Sequence, residues 1–210
     1  MQLIDLNISD FANKLASSDP TPGGGSAAAL SGLVGISLTA MVANLTIGRK
    51  KYAEHEAFMQ DAVKKATELK AQLLKAIDED AKAYDKVSAA FKLPKEADEE
   101  KSARSKAIQD ATKIATTTPL GILKLCFEGL ELTHSMINKC NTNAASDLGV
   151  AANSLKTGLD GAWMNVLINL SGLKDEEFIK QTRNEAANAL AKSEGICKEV
   201  VSFVMTQIDV

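Results

Sequence analysis

The chain is 210 residues long, 45% hydrophobic but only 4% aromatic, with a formal net charge of −3. That length supports a sizeable core and predicts one domain over residues 1–210, while the small net charge excludes a global pull toward nucleic acid or an anionic membrane. Cys126, Cys140 and Cys197 fit neither a disulfide framework nor a zinc motif, and His55 and His134 lie far apart, so a cytoplasmic protein without a metal centre is expected.

No basic stretch opens the chain, and Asp5 and Asp10 interrupt its apolar residues, so no signal peptide is expected. Residues 7–18 predict a short amphipathic helix with Phe11 and Leu15 on one side. "DPTPGGG" (residues 19–25) is a turn. Ser26 is expected to cap a helix that runs to about residue 47 and ends at Gly48. This helix carries no charge and has the length of a membrane span. Its Ala, Gly, Ser and Thr content instead predicts a helix central to a bundle. Ala28, Gly32, Ile36 and Ala40 line one side of it, and Ser31, Gly35, Thr39 and Ala43 the next. Such a thin helix admits close backbone approach, either from larger helices wrapped around it or from a symmetry mate.

A long helix is predicted over residues 54–90, then a charged loop over 92–100 and a helix over 101–115. Thr118 and Pro119 look like a cap and first helical position, restarting a helix that runs to about residue 139. "NTN" (residues 141–143) is a turn. A helix over 144–170 follows, with Gly158 a candidate break, and Asp175 starts the last helix. No strand-like alternation or repeat is present. The fold class is all-α: an antiparallel bundle of long helices in a single domain.

Five groups of residues could carry chemistry. Three consecutive glycines, Gly23, Gly24 and Gly25, followed by Ser26 leave backbone N–H groups uncovered at a helix start, where an anion or polar ligand can approach. A tight turn with a capping serine would need only one glycine. In the long helix, Ala66, Leu69, Leu73, Ile77, Tyr84, Val87 and Phe91 form an apolar stripe whose missing member is Asp80. A carboxylate on that face costs several kcal/mol unless it is paired or used, either by a buried lysine, a neighbouring helix end or catalysis. Asp78 and Glu79 are expected to point to solvent. Asn44, with Arg49, Lys50 and Lys51 just beyond, either complements a helix dipole or meets a substrate carboxylate. Asp147 sits in an alanine-rich segment and either favours a helix start or lines a pocket. Asn165 and Asn169, four apart, are expected to bridge helices. Met41, Met164 and the cysteines are expected to fill the core.

"PTPGGGSAAA", "MVANLTIGRKKY", "DEDAKAYDKV" with the following "LPK", "SDLGVAA" and "NVLINL" together resemble the cyclodeaminase/cyclohydrolase family of folate one-carbon enzymes over nearly the whole chain. The resemblance implies an all-α homodimer with no metal or redox cofactor and a folate site lined by the glycine loop. It also implies a catalytic aspartate in the long helix, at Asp80, and a pocket role for Asp147. Two reactions compete: hydrolysis of 5,10-methenyltetrahydrofolate to 10-formyltetrahydrofolate, and loss of ammonia from 5-formiminotetrahydrofolate. "NLTIGRKKY" and the stretch from Leu93 to Arg104 look more like the stand-alone cyclohydrolases. On this reading Asp80 moves the protons, Gly23–Ser26 and Asn44 orient the pterin, and Arg49–Lys51 meet the glutamate tail. No nucleic-acid or membrane partner is expected. A non-catalytic helical module binding an anion or a partner through its glycine turn is the alternative of another class.

Overall fold

A computed structural model describes residues 2–208. Six α-helices follow in order: α1 (Ile8–Leu15), α2 (Gly24–Thr46), α3 (Glu56–Phe91), α4 (Asp98–Ser135), α5 (Ala145–Leu170) and α6 (Glu176–Ile208). Short 3-10 turns cover Leu3–Asp5, Lys50–His55 and Thr142–Ala144. Among the described residues there is no strand. The thin helix α2 is the axis, packed on α3, α4 and α5, while α6 closes the side formed by α4 and α5.

The small residues of α2 do their packing inside the chain. A Cβ added at Gly32 would meet Cys126 Sγ at 2.5 Å, and one at Gly158 of α5 would meet the Ala28 carbonyl oxygen at 2.8 Å. Gly158 is therefore a point of close approach, and α5 runs through it unbroken. Gly24 lies beside Asn165, Ala28 beside Gly161 and Gly35 beside Leu155, so α5 runs antiparallel to α2. By length and composition α2 could cross a membrane, but half of its apolar window is buried against its neighbours.

Three local expectations are corrected. Ser26 does not cap α2; the helix starts at Gly24, with Gly23 at the cap position and no side-chain cap bond. The charged loop is shorter than expected, because α4 already begins at Asp98. The two helices expected around Pro119 are one helix of 38 residues with Pro119 inside it. Proline has no N–H, so the carbonyl of Ala115 one turn back loses its helical partner. Asn169 of α5 supplies the replacement, donating from Nδ2 to the Ala115 oxygen at 2.7 Å. An orphaned buried carbonyl costs about 1–3 kcal/mol, and this side-chain bond removes that cost. Asn169 thus bridges helices as expected.

The apolar stripe of α3 is buried only in part. Ala66, Leu69, Leu73 and Ile77 are core residues, but Tyr84 and Phe91 are exposed. The reason is length: α3 has 36 residues and α2 has 23, so α3 spans about 54 Å against about 35 Å. Beyond Asp80, the end of α3 projects past the start of α2. There only small residues, Ala81, Ala83 and Ala90, stay buried, and Arg104 of α4 holds the tip by donating to the Phe91 carbonyl at 3.0 Å from Nη2.

Candidate active site

Asp80 sits where α3 passes the first turn of α2. The approach is so close that a Cβ at Gly25 would fall on the Asp80 carboxylate. Only glycine permits it. Ser26 Oγ lies 3.2 Å from Asp80 Oδ2 and 2.9 Å from the Ile77 carbonyl oxygen. A hydroxyl has one proton and two lone pairs. It can donate to an ionised Asp80, or accept from a protonated one while donating to Ile77. Ser26 therefore serves both protonation states.

Burial pushes the Asp80 carboxyl above its ordinary range, while the Ser26 hydrogen bonds pull it down and lose. No lysine or arginine contributes to that balance, and among the described residues no cation lies in ion-pair contact with it. Of the structural explanations open to the sequence, the buried lysine is absent and the bond to a neighbouring helix end is present. What results is a desolvated carboxylate, without a countercharge, beside bare backbone N–H groups.

Asn165 borders the same spot. A Cβ at Gly24 would lie 3.0 Å from its Nδ2 and 3.3 Å from its Oδ1. Its Nδ2 donates to Gly161 O at 2.8 Å within α5, so this asparagine does not bridge helices as expected but lies against the glycine turn. Sequence spacing puts Asn165 and Asn169 on one side; only the fold separates a carbonyl partner from a site neighbour. Asp78, expected in solvent, is only 6% exposed, and its Oδ1 accepts the Leu3 N–H at 2.6 Å. The N-terminal segment crosses α3 there and needs an acceptor. Glu79 is solvated, paired with Lys75 at 2.7 Å.

The remaining candidates lie at the other end of α2. Asn44 is exposed in its last turn, and Gly48 (φ 74°) turns the chain into the 3-10 segment that follows Arg49. Arg49, Lys50, Lys51, Tyr52 and residues 141–143 surround a cavity of about 330 Å³. Tyr52 Oη accepts from the Thr142 N–H at 3.1 Å and meets Thr142 Oγ1 at 3.2 Å, which holds the phenol below its ordinary pKa. Asn141 secures the end of α2 by donating from Nδ2 to Leu45 O at 3.1 Å; the "NTN" turn is its only sequence signal. Asp147, in the first turn of α5, is half-buried at this same end. The structure thus joins Gly23–Ser26 with Asp80 and separates them from Asn44, Arg49, Lys50 and Asp147. From Gly25 to Asn44 the helix rises roughly 30 Å. Within one chain the two groups cannot orient one pterin together.

Residues 7–188 match the model of the formiminotransferase-cyclodeaminase family. The chain belongs to this family. It is 42% identical to a methenyltetrahydrofolate cyclohydrolase of Methylorubrum extorquens over 96% of this chain and 97% of that one. A formimidoyltransferase-cyclodeaminase of Rattus norvegicus is 32% identical over 91% of this chain but only 35% of its own length. Among solved structures, the formiminotetrahydrofolate cyclodeaminase of Thermotoga maritima superposes with a TM-score of 0.87, at 28% identity and 96% coverage of both chains. As a member of this family, the chain shares the all-α fold of the Thermotoga maritima structure.

Proposed function

We propose that the chain is a cytoplasmic, homodimeric methenyltetrahydrofolate cyclohydrolase, converting 5,10-methenyltetrahydrofolate and water to 10-formyltetrahydrofolate. The observation that carries this reading is the Asp80 carboxyl seated against Gly25 without a countercharge. The methenyl carbon is a cationic amidinium. A desolvated carboxylate attracts such a cation far more strongly than a solvated one does. Asp80 takes a proton as water attacks that carbon, giving a neutral carbinolamine. The carbinol O–H proton then leaves as the C–N5 bond breaks, N5 takes up a proton, and one proton is released overall. Ser26 follows Asp80 through both states by turning its hydroxyl. The methenyl and formyl carbons share one oxidation level, so the reaction calls for no redox cofactor.

Identity of 42% to the bacterial cyclohydrolase, over 96% of this chain and 97% of that one, favours hydrolysis. The likeness to the Thermotoga maritima cyclodeaminase keeps ammonia loss as the second reading, because the same carboxyl can return protons to a leaving amine. The test adds purified protein to methenyltetrahydrofolate and follows loss of its near-ultraviolet absorbance beyond the spontaneous rate. A parallel run with the formimino compound, scored by ammonia release, chooses between the reactions. Acceleration of neither ends the proposal.

A further inference from the structure

We infer that Tyr84 and Asn165 bind the substrate beside Asp80, Tyr84 through the face of the reacting ring and Asn165 through its polar edge, roles that rest on the proposed folate reaction. The start of α2 brings the three side chains together. Two adjacent glycines of its first turn meet different helices: Gly25 meets Asp80 of α3, and Gly24 meets Asn165 of α5. Consecutive Cα atoms are about 3.8 Å apart, so the carboxylate and the amide lie no more than about 12 Å from each other. Asp80 itself is only part-buried.

Tyr84 comes four residues after Asp80, on the same face of α3. Long side chains of a helix lean back over the preceding turn, here the turn that carries Asp80. At this level α2 has ended, and Tyr84 is 44% exposed. Among the described residues, the rings with a cation over them are those of Tyr52, Phe58, Phe91 and Phe178; no protein cation occupies Tyr84. An aromatic face attracts a flat cation, and the amidinium of the methenyl compound is one. Hydrolysis removes that charge, so Tyr84 favours the reactant over the product. Asn165 reads a different property. Its Nδ2 donates one proton to Gly161 O, which leaves the second N–H and Oδ1 without a partner among the described residues. A donor beside an acceptor matches the lactam edge of a pterin, where a ring N–H adjoins a carbonyl. Met164 and Ile168 next to it are 67% and 69% exposed, so this stretch of α5 is open to solvent. Met164 and Met41, expected in the core, lie at the surface instead.

The test uses full-length Tyr84→Leu, Tyr84→Phe and Asn165→Ala, each first shown to melt like wild type. KM and kcat are measured with methenyltetrahydrofolate, and Ki with 10-formyltetrahydrofolate. Tyr84→Leu keeps bulk but has no π face: KM is expected to rise about tenfold, and the product's Ki no more than about threefold. Tyr84→Phe, which keeps the ring, is expected to recover most of that loss. Asn165→Ala is expected to raise KM and Ki alike, each about tenfold for two lost hydrogen bonds, because hydrolysis leaves the lactam edge unchanged. Equal losses for reactant and product in Tyr84→Leu, or no recovery in Tyr84→Phe, overturn the role of Tyr84. Unchanged constants in Asn165→Ala overturn the role of Asn165. Active wild type matched by every variant strikes both roles and leaves the proposed function standing, whereas wild type that turns over neither folate strikes the function and the roles together.

Discussion

The two ends of α2 are built on opposite principles. At its start, bare backbone meets a half-buried carboxylate with no cation in ion-pair contact among the described residues. At its end, basic side chains stand in solvent around a polar cavity. Desolvation retunes a titrating group, whereas exposed charges attract a ligand without altering its reactivity. The first end should therefore govern turnover and the second affinity.

The sharpest way to break that contrast is Asp80→Asn, for which kcat is expected to fall by at least ~10²-fold, the loss typical of a general acid–base group. Steady-state kinetics on folded protein checks it; an unchanged kcat removes the first end from the chemistry. Gly25→Ala comes next. Its methyl group must displace the Asp80 carboxylate, and the expected cost is about 1–3 kcal/mol in stability, together with a large fall in kcat, read by urea unfolding and kinetics. Asn169→Ala should cost about 1–3 kcal/mol by orphaning the Ala115 carbonyl, and much less in a Pro119→Ala background, where a backbone N–H returns. A double-mutant cycle measures this. At the second end, R49A/K50A should raise KM about tenfold with kcat little changed; a fall in kcat alone would blur the two ends.

The smallest effect concerns pH. Asp80 has its carboxyl raised by burial, so folding favours its protonated form. The resulting penalty is absent below the unfolded carboxyl value, grows as pH rises through the carboxylate range, and is complete above the folded value. Asp80→Asn should thus melt higher than wild type at neutral pH, with the difference vanishing in acid. Thermal scans across pH would show it, and a constant offset would rule out Asp80 as its source.

Much of the fold is legible in the sequence because helical periodicity and turn residues are local. Asp80 stands out as the missing member of a stripe, and Gly23–Ser26 as more glycine than a turn needs. Pro119 misleads because the bond that mends its gap comes from Asn169, on a different helix and far along the chain. Asp78 misleads because its partner is the backbone of Leu3, which no side-chain pattern reveals. Tyr84 and Phe91 continue the stripe of α3 in sequence, but nothing of α2 remains for them to cover. The splitting of the candidate residues into two groups is invisible as well: their order along the chain says nothing about which of them share an end of the bundle.

The overhang of α3, tied to α4 through Arg104 and Phe91, bears on motion. Its outer turns bury little beyond Ala81, Ala83 and Ala90, so they belong to the least stabilised part of the molecule, where local opening is cheapest. The turns of α3 that follow Asp80 can then open and reclose locally, while Gly25, locked into the core through α2, keeps its side of the Asp80 contact fixed.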